Sequence, residues 1–240
     1  FWQFFLLHNI AAKPIVGDIN MRGINIDSAF NGVNLLLFGV RNDAGNIVIV
    51  IRGPSKSYIV RKKDQVAGIW MNTDSYRFDN INSYYAIASN VNLDNINNDY
   101  LLNKLGVGVN NMTLTNYPNA NDLASVEFLD ALLDEKESKN LYPANRKIEN
   151  VSFIGDTLFR SNIRFPETIE RGTYIAEFYL FNDGQLIGIH STPIVVKKIG
   201  FDAFIYDLAH KHSFFYGLLA IFIAIASGWI ASYHFKDVNL

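Results

Sequence analysis

The sequence predicts a mainly β fold: immunoglobulin-like β-sandwich lobes with a helical insertion, followed by one C-terminal transmembrane α-helix. Two observations carry this prediction. Between residues 13 and 198, apolar and β-branched runs alternate with turn residues about every ten positions, as is typical of β-sandwiches. The stretch from Ser213 to Tyr233 is apolar and uncharged. As a helix it is long enough to cross the roughly 30 Å core of a bilayer.

The composition restricts the classes of function. The 240 residues carry a net charge of -2, so no global positive field favours a nucleic acid. The chain has no cysteine, which excludes disulfides, thiolate metal ligands and cysteine nucleophiles. The motifs GxSxG, Walker A, HExxH and GxGxxG do not occur, and no spacing places two carboxylates together. We therefore predict a protein that is not an enzyme, with no cofactor and no metal.

The first segment, residues 1–12 (FWQFFLLHNIAA), resembles the remnant of a secretory signal peptide: an apolar run closed by small residues. An uncleaved anchor and an ordinary strand are the alternatives. A signal peptide implies an exported body and a cytosolic C-terminus. The lysines around the span indicate the opposite orientation, with Lys197, Lys198 and Lys211 before it and Lys236 after it. We weight the signal-like start more, because a translocated domain carries its charges across.

Residues 13–92 are predicted to form the first β-lobe. The apolar runs Asn34 to Arg41 and Asn46 to Arg52 are strands, and the link Asn42 to Gly45 predicts a hairpin between them. Further strands are predicted at Ser57 to Lys63, Gly68 to Asn72, Ser75 to Phe78 and Ser83 to Ser89.

Residues 93–147 are predicted to form a helical bridge. Asp94 to Leu105 suits a short helix. A second helix has Asn121 or Asp122 as its cap and ends before Tyr142-Pro143. Its apolar face is predicted from helical spacing at Leu123, Val126, Leu129, Leu132 and Leu133, with most of the charged residues, among them Lys136, off that face.

Residues 148–198 are predicted to return to strands. Thr157 to Phe165 alternates apolar and polar residues. Thr173 to Phe181 and Gln185 to Val196 flank Asn182-Asp183-Gly184, a strong hairpin signal. The sequence leaves open whether these strands complete one sandwich or form a second lobe, and we favour two lobes.

The C-terminal region is predicted to contain an amphipathic juxtamembrane helix at residues 199–212, a transmembrane helix at 213–233 and a cytosolic tail at 234–240. Tyr216, Trp229 and Tyr233 suit aromatic anchors at the two membrane interfaces. Ala224 and Gly228 make a small-xxx-small step that suits helix packing.

Two side-chain clusters are candidate sites. The first is basic and borne on strands, and suits an anion or an acidic partner: Arg52, Arg61, Lys62 and Arg77, with Trp70 nearby. Its alternative is a charge-protected edge strand. The second is juxtamembrane: Asp207 and His210 are i, i+3 on a helix, with His212 beside them. Its alternative is a set of ordinary interfacial polar residues.

Read in order, the chain resembles the putative alphaproteobacterial transmembrane proteins. The matching stretches are NLLLFGV (34–40), VIVIRGP (48–54), VRKKDQVAGIWMN (60–72), SYYAIAS (83–89), LFRSNIRFP (158–166), GTYIAEFYL (172–180) and IYDLAHKHSFFYGLLAI (205–221). The resemblance implies an inner-membrane protein with a signal peptide, an exported domain and one C-terminal span. It also implies a gene often found near TauE/SafE-type exporters of sulfite or organosulfonates. It brings no catalytic residue.

These observations support three hypotheses. The first is an accessory or assembly subunit in the bacterial inner membrane, or an equivalent organelle membrane, with its body on the periplasmic side. Its partners are membrane lipid and another integral membrane protein, and no nucleic acid. The second is an anion-binding module that serves a TauE/SafE-type exporter. The third is an enzyme of unrecognised type.

Overall fold

The structure is a computed structural model that describes residues 13–109, 111, 123–144 and 147–235. The chain forms two compact units. The first, here called the body, comprises the residues up to 24 and residues 30–196. The second, the C-terminal unit, comprises residues 25–29 and the chain from 197 onward.

Twelve β-strands in the described residues form three sheets, which confirms the mainly β prediction. In chain order they are β1 (Ile15–Ile19), β2 (Gly23–Ile26), β3 (Val33–Arg41), β4 (Asn46–Arg52), β5 (Ser55–Val66), β6 (Ile69–Asn82), β7 (Tyr85–Ser89), β8 (Glu149–Asn150), β9 (Ser152–Ile154), β10 (Leu158–Phe165), β11 (Gly172–Asn182) and β12 (Gln185–Lys198). The four-stranded sheet has the order β1-β3-β10-β9 and the six-stranded sheet the order β2-β12-β11-β4-β7-β8. Strands β5 and β6 pair as a separate ribbon.

The four-stranded and six-stranded sheets pack face to face through aromatic side chains. The ring centroids of Phe159 on β10 and Phe178 on β11 are 6.1 Å apart, and those of Phe165 and Tyr174 are 5.3 Å apart. Gly17 on β1 permits this approach, because a Cβ there would lie 2.4 Å from Cγ of Phe178. Such facing layers form the core of a two-sheet body. The immunoglobulin-like detail remains a prediction.

Burial along the strands follows from their positions in the sheets. Strand β10 alternates exposed and buried residues, as a strand with one face on the core must. The interior of β4, Ile47 to Ile51, is buried throughout. It lies between β11 and β7, so both of its edges are paired. A near-continuous apolar run is the sequence signature of a strand covered on both faces.

The link from β3 to β4 corrects the predicted hairpin at Asn42 to Gly45. Strand β3 pairs with β1 and β10 in one sheet, and β4 pairs with β11 and β7 in the other. The link therefore crosses from sheet to sheet. The long-range partners of each strand decide the topology here, and the local turn composition does not.

The preference for two β-lobes is also corrected. Strand β3 pairs with β10, and β4 pairs with β11, so strands from before and after the helical segment share both sheets. This is the single-body alternative that the sequence left open. The hairpin predicted at Asp183-Gly184 is confirmed, since β11 and β12 pair from Asn182 and Gln185 onward.

The described helices of the body lie within the predicted bridge. A 3₁₀ helix spans Leu93–Ile96, α1 spans Asp99–Leu105 and α2 spans Leu123–Ser138. The predicted caps at residues 121 and 122 lie outside the described residues. Helix α2 ends before the predicted Tyr142-Pro143 stop: Asn140 adopts a left-handed φ of 55°, and the Leu141 N–H donates to the Lys136 carbonyl at 2.9 Å.

The C-terminal unit contains α3 (Phe201–Lys211) and α4 (Ser213–Phe235), separated by His212. The segment Ser213–Ser232 is long and apolar enough to cross a membrane, and none of it is buried. This confirms the predicted transmembrane helix. The anchor candidates Tyr216 and Trp229 are exposed, whereas the Tyr233 side chain lies outside the described part. So do the predicted signal remnant at 1–12 and most of the predicted tail.

Candidate functional site

The β5–β6 ribbon carries most of the predicted basic cluster. The sequence divides its second strand into two pieces, but β6 runs unbroken to Asn82 and pairs with β5 along its length. Within the described residues the two strands pair only with each other. The outer edge of each strand therefore presents unpaired backbone N–H and C=O groups.

The two faces of the ribbon differ in what they contact. On the inner face, Tyr76 stacks with Phe128 of α2 at 6.1 Å between ring centroids. Lys62 Nζ lies 3.1 Å from the Glu127 carboxylate, which raises the pKa of Lys62 through a hydrogen bond. The opposite face carries Arg61 and, through the Ile59–Arg77 pair, Arg77. The ribbon thus rests on α2 by one face and leaves the other open.

The tip of the ribbon is apolar and exposed. Ala67 and Gly68 form the turn with φ values of 52° and 85°. Beside them stand four exposed apolar side chains: Val66, Ile69, Trp70 and Met71, of which Ile69 and Trp70 are 70% and 69% exposed. Exposed contiguous apolar groups of this kind mark interaction sites.

The charges of the ribbon differ in how far they are neutralised. Lys62 pairs with Glu127, and Arg77 pairs with Asp79 at 2.9 Å. Hydrogen bonds from Ser57 and Arg77 hold the pKa of Asp79 below its usual value. Arg61 and Lys63 are exposed and form no ion pair within the described ranges. Lys63 lies nearer the apolar tip, since it pairs with Asn72, whereas Arg61 pairs with Ser75 further along the ribbon.

Arg52 does not share this arrangement. It lies on β4, only partly exposed, and forms an ion pair with Glu177 of β11. Its guanidinium also donates to the backbone carbonyls of Leu105, at 2.7 Å, and Gly106, at 3.0 Å. Arg52 therefore ties the C-terminus of α1 to the sheet, where cations are favoured by the helix dipole. Its charge and donors are already used inside the body.

Lys136 is a buried cation that the sequence interpretation missed. The buried row of α2 is Phe128, Leu132 and Lys136, whereas Val126, predicted on the apolar face, is exposed. Burial lowers the pKa of Lys136 to about 8. The spacing of four residues from Phe128 to Leu132 to Lys136 is the signal that could have identified it.

The surroundings of Lys136 contain few polar partners. Its Nζ donates to the Ser83 carbonyl at 3.3 Å and lies 3.8 Å from the centroid of the Tyr58 ring. A second ring, that of Tyr142, lies at 5.6 Å. The Tyr58 hydroxyl is buried without a hydrogen-bond partner in the described part of the chain, and burial raises the pKa of Tyr58 to about 12.

The juxtamembrane candidates lie on either side of a helix boundary. Nδ1 of His210 lies 2.9 Å from the Tyr206 carbonyl, which can only accept, so Nδ1 donates in this hydrogen bond. The two rings stack at 4.0 Å. His212 stands at the break between α3 and α4. The side chain of Asp207 lies outside the described part. Within that part no group of three His, Cys, Asp or Glu residues could hold a metal ion.

Comparison with known proteins connects the chain to one family. The family described as "Putative transmembrane protein (Alph_Pro_TM)" matches residues 14–237. The match begins just before β1 and runs through the apolar helix α4, so it includes the ribbon and Lys136. No curated protein matches the chain.

Proposed function

The chain belongs to this family of transmembrane proteins, and from that membership we propose a non-catalytic, membrane-anchored accessory subunit. Its β-rich body binds a partner membrane protein. The observation that carries the proposal is the exposed apolar tip of the β5–β6 ribbon. Helix α4 tethers the body to the membrane in which the partner resides.

The proposal extends to the compartment. We place the protein in the bacterial inner membrane, with the body on the periplasmic side and the C-terminus in the cytosol. The signal-like sequence of residues 1–12 supports this orientation. The absence of cysteine from the chain is compatible with an oxidising compartment, which permits disulfides but does not require them.

The ribbon suits a protein partner in three respects. Trp and Met are enriched in the cores of interfaces, and Trp70 and Met71 stand exposed at the tip. Lys63 supplies positive charge close to Met71, and Arg61 supplies a second positive charge further along β5, for an acidic rim. The unpaired strand edges can accept a further strand by β-augmentation.

Site-specific photo-cross-linking in intact membranes tests this function. A photoreactive residue at Ile69 is expected to give one cross-linked membrane protein of defined mass. The same group at Asp43, an exposed position on the β3–β4 link, is the matched control and is expected to give none. Trp70→Ala in the Ile69-labelled chain is expected to remove the product. Cross-links to lipid alone, or equal products from both positions, would overturn the proposal.

A periplasmic anion-binding module that serves a TauE/SafE-type exporter is the second candidate. The exposed, unpaired Arg61 and Lys63 favour it. Arg52, with its ion pair to Glu177, supports it less. Calorimetry of the full chain with sulfite is the test: Arg61→Ala is expected to abolish binding. Unchanged binding in that variant, or none in the parent protein, would exclude this role for the ribbon.

A further inference from the structure

A cavity of about 250 Å³ lies at the base of the ribbon, where β5 meets α2. Its walls include Tyr58 from β5, Glu135 and Lys136 from α2, Lys139 just after α2, and Glu170 from the segment before β11. The cavity is separate from the exposed tip. A site in it therefore does not depend on the docking role of the ribbon.

The charge of Lys136 has no carboxylate partner there. Lys136 is 4% exposed, and among the described residues no acidic side chain lies within ion-pair distance of its Nζ. The ammonium group has three donors, of which one reaches the Ser83 carbonyl. Burying an ammonium group is costly unless it is paired and hydrogen-bonded, and the faces of Tyr58 and Tyr142 offset only part of that cost.

Tyr58 adds a second unused donor next to Lys136. Its ring face contacts the Lys136 ammonium, and its buried hydroxyl lacks a hydrogen-bond partner in the described part. Buried hydroxyl groups in native proteins are nearly always hydrogen-bonded, so an unpaired one points to a further group that belongs at the site. An ammonium and a phenol hydroxyl both donate, and an oxyanion accepts from both.

The charged side chains around the cavity determine what charge a ligand should carry. Lys139 pairs with Glu135, and Lys56 pairs with Glu170, so these four side chains neutralise one another. Lys136 then leaves one positive charge at the cavity. A ligand with one negative charge matches it, whereas a dianion would place excess charge beside Glu135 and Glu170.

We propose that this cavity binds a small singly charged carboxylate. Its oxygens accept hydrogen bonds from the Lys136 ammonium and the Tyr58 hydroxyl. The low pKa of Lys136, about 8, agrees with this assignment, because a bound anion restores the charged form that burial disfavours. The other titratable groups that act on Lys136 are Glu170 and Glu135, which raise its pKa, and Lys139 and Lys56, which lower it.

Acetate is the probe, with the full chain in detergent micelles and sodium chloride at equal ionic strength as the reference. We expect acetate to raise the melting temperature and to bind in calorimetry, with sulfate and phosphate weaker. Lys136→Met is expected to abolish binding. It should still fold, because Met has a similar volume and no charge to bury. Tyr58→Phe keeps the ring and is expected to weaken binding about tenfold.

Lys62→Met is the matched control: Lys62 is a lysine of β5 already paired with Glu127, away from the cavity. We expect its acetate affinity to equal that of the parent protein. The proposal is overturned if acetate acts no differently from chloride, if Lys136→Met binds as well as the parent protein, or if sulfate binds more tightly than acetate. None of these results bears on cross-linking from the tip, so the two proposals fail separately.

Discussion

Strand β4 and the β5–β6 ribbon are consecutive in the chain, both are antiparallel and both carry arginine, yet the surroundings of their side chains are opposite. In β4 every residue from Ile47 to Ile51 is buried, and the terminal Arg52 is bound by Glu177 and two carbonyls. In the outer half of the ribbon every residue is exposed, and Arg61 has no ion pair within the described ranges. The packing around each strand therefore decides whether its arginine is held by contacts within the body or can bind another molecule.

The largest expected effect lies in the core. Phe178→Ala on β11 removes a fully buried ring that packs against Phe159 and Gly17, and should lower the free energy of unfolding by about 3–5 kcal/mol. Ile69→Ala at the ribbon tip should change it by less than about 0.5 kcal/mol. Urea unfolding in micelles measures both. A similar loss in the two variants would mean that the tip is as well packed as the core.

The next largest difference in the free energy of unfolding is expected between variants of Arg52 and Arg61. Arg52→Met leaves the partly buried Glu177 carboxylate unpaired, so we expect a loss of about 1–3 kcal/mol in the free energy of unfolding. Arg61→Met should be neutral within about 0.5 kcal/mol. The double variant Arg52→Met/Glu177→Gln should recover part of the loss, since it removes the stranded charge. No recovery would mean that the carbonyl contacts of Arg52, rather than its ion pair, stabilise the body.

Lys136 lies where the ribbon meets the body, and its effect depends on pH. Its pKa falls to about 8 in the folded state from an ordinary value of 10.5. Between these pH values the unfolded chain binds more protons, so the free energy of unfolding rises with pH. We expect a rise on the order of 1 kcal/mol from pH 7.5 to 9.5 relative to Lys136→Met, after allowance for solvent screening. Parallel pH profiles for the two proteins would show that Lys136 keeps an ordinary pKa.

The smallest effect on stability is expected at Trp70. Because its side chain is 69% exposed, Trp70→Ala should leave the free energy of unfolding within about 0.5 kcal/mol of the parent value. The same change should remove the cross-link from Ile69. A loss of stability together with the cross-link would assign Trp70 to the fold and weaken the distinction between the two regions.

Local patterns in the sequence were sufficient where the structure is decided locally. The Asp183-Gly184 turn, the alternation along β10 and the apolar span starting at Ser213 all appear as predicted. In each case the residues that form the feature are neighbours in the chain, or lie on one face of one element, so their spacing carries the necessary information.

Contacts between residues far apart in the sequence determine the features that local patterns do not predict. Nothing near Asn42 to Gly45 indicates that β4 pairs with β11 instead of β3. The partner of Arg52, Glu177, lies on a strand far along the sequence. The sequence alone therefore could not show that Arg52 is bound within the body while the rest of the predicted basic cluster lies on the ribbon. The charge of Lys136 predicts a position off the apolar face of α2, whereas its Nζ lies 3.8 Å from the ring centroid of Tyr58 and 5.6 Å from that of Tyr142.

The turn at the ribbon tip has a consequence for handling the protein in solution. Ala67 adopts a left-handed φ of 52°, which costs a residue with a Cβ about 1 kcal/mol, and Asn-Gly would suit such a turn better. Because alanine stands there, Val66 to Met71 contains no charged side chain. Deleting α4 should therefore not by itself yield a soluble, monodisperse body, because this tip would still drive self-association. Polar substitution of Ile69 and Trp70 is expected to be needed as well.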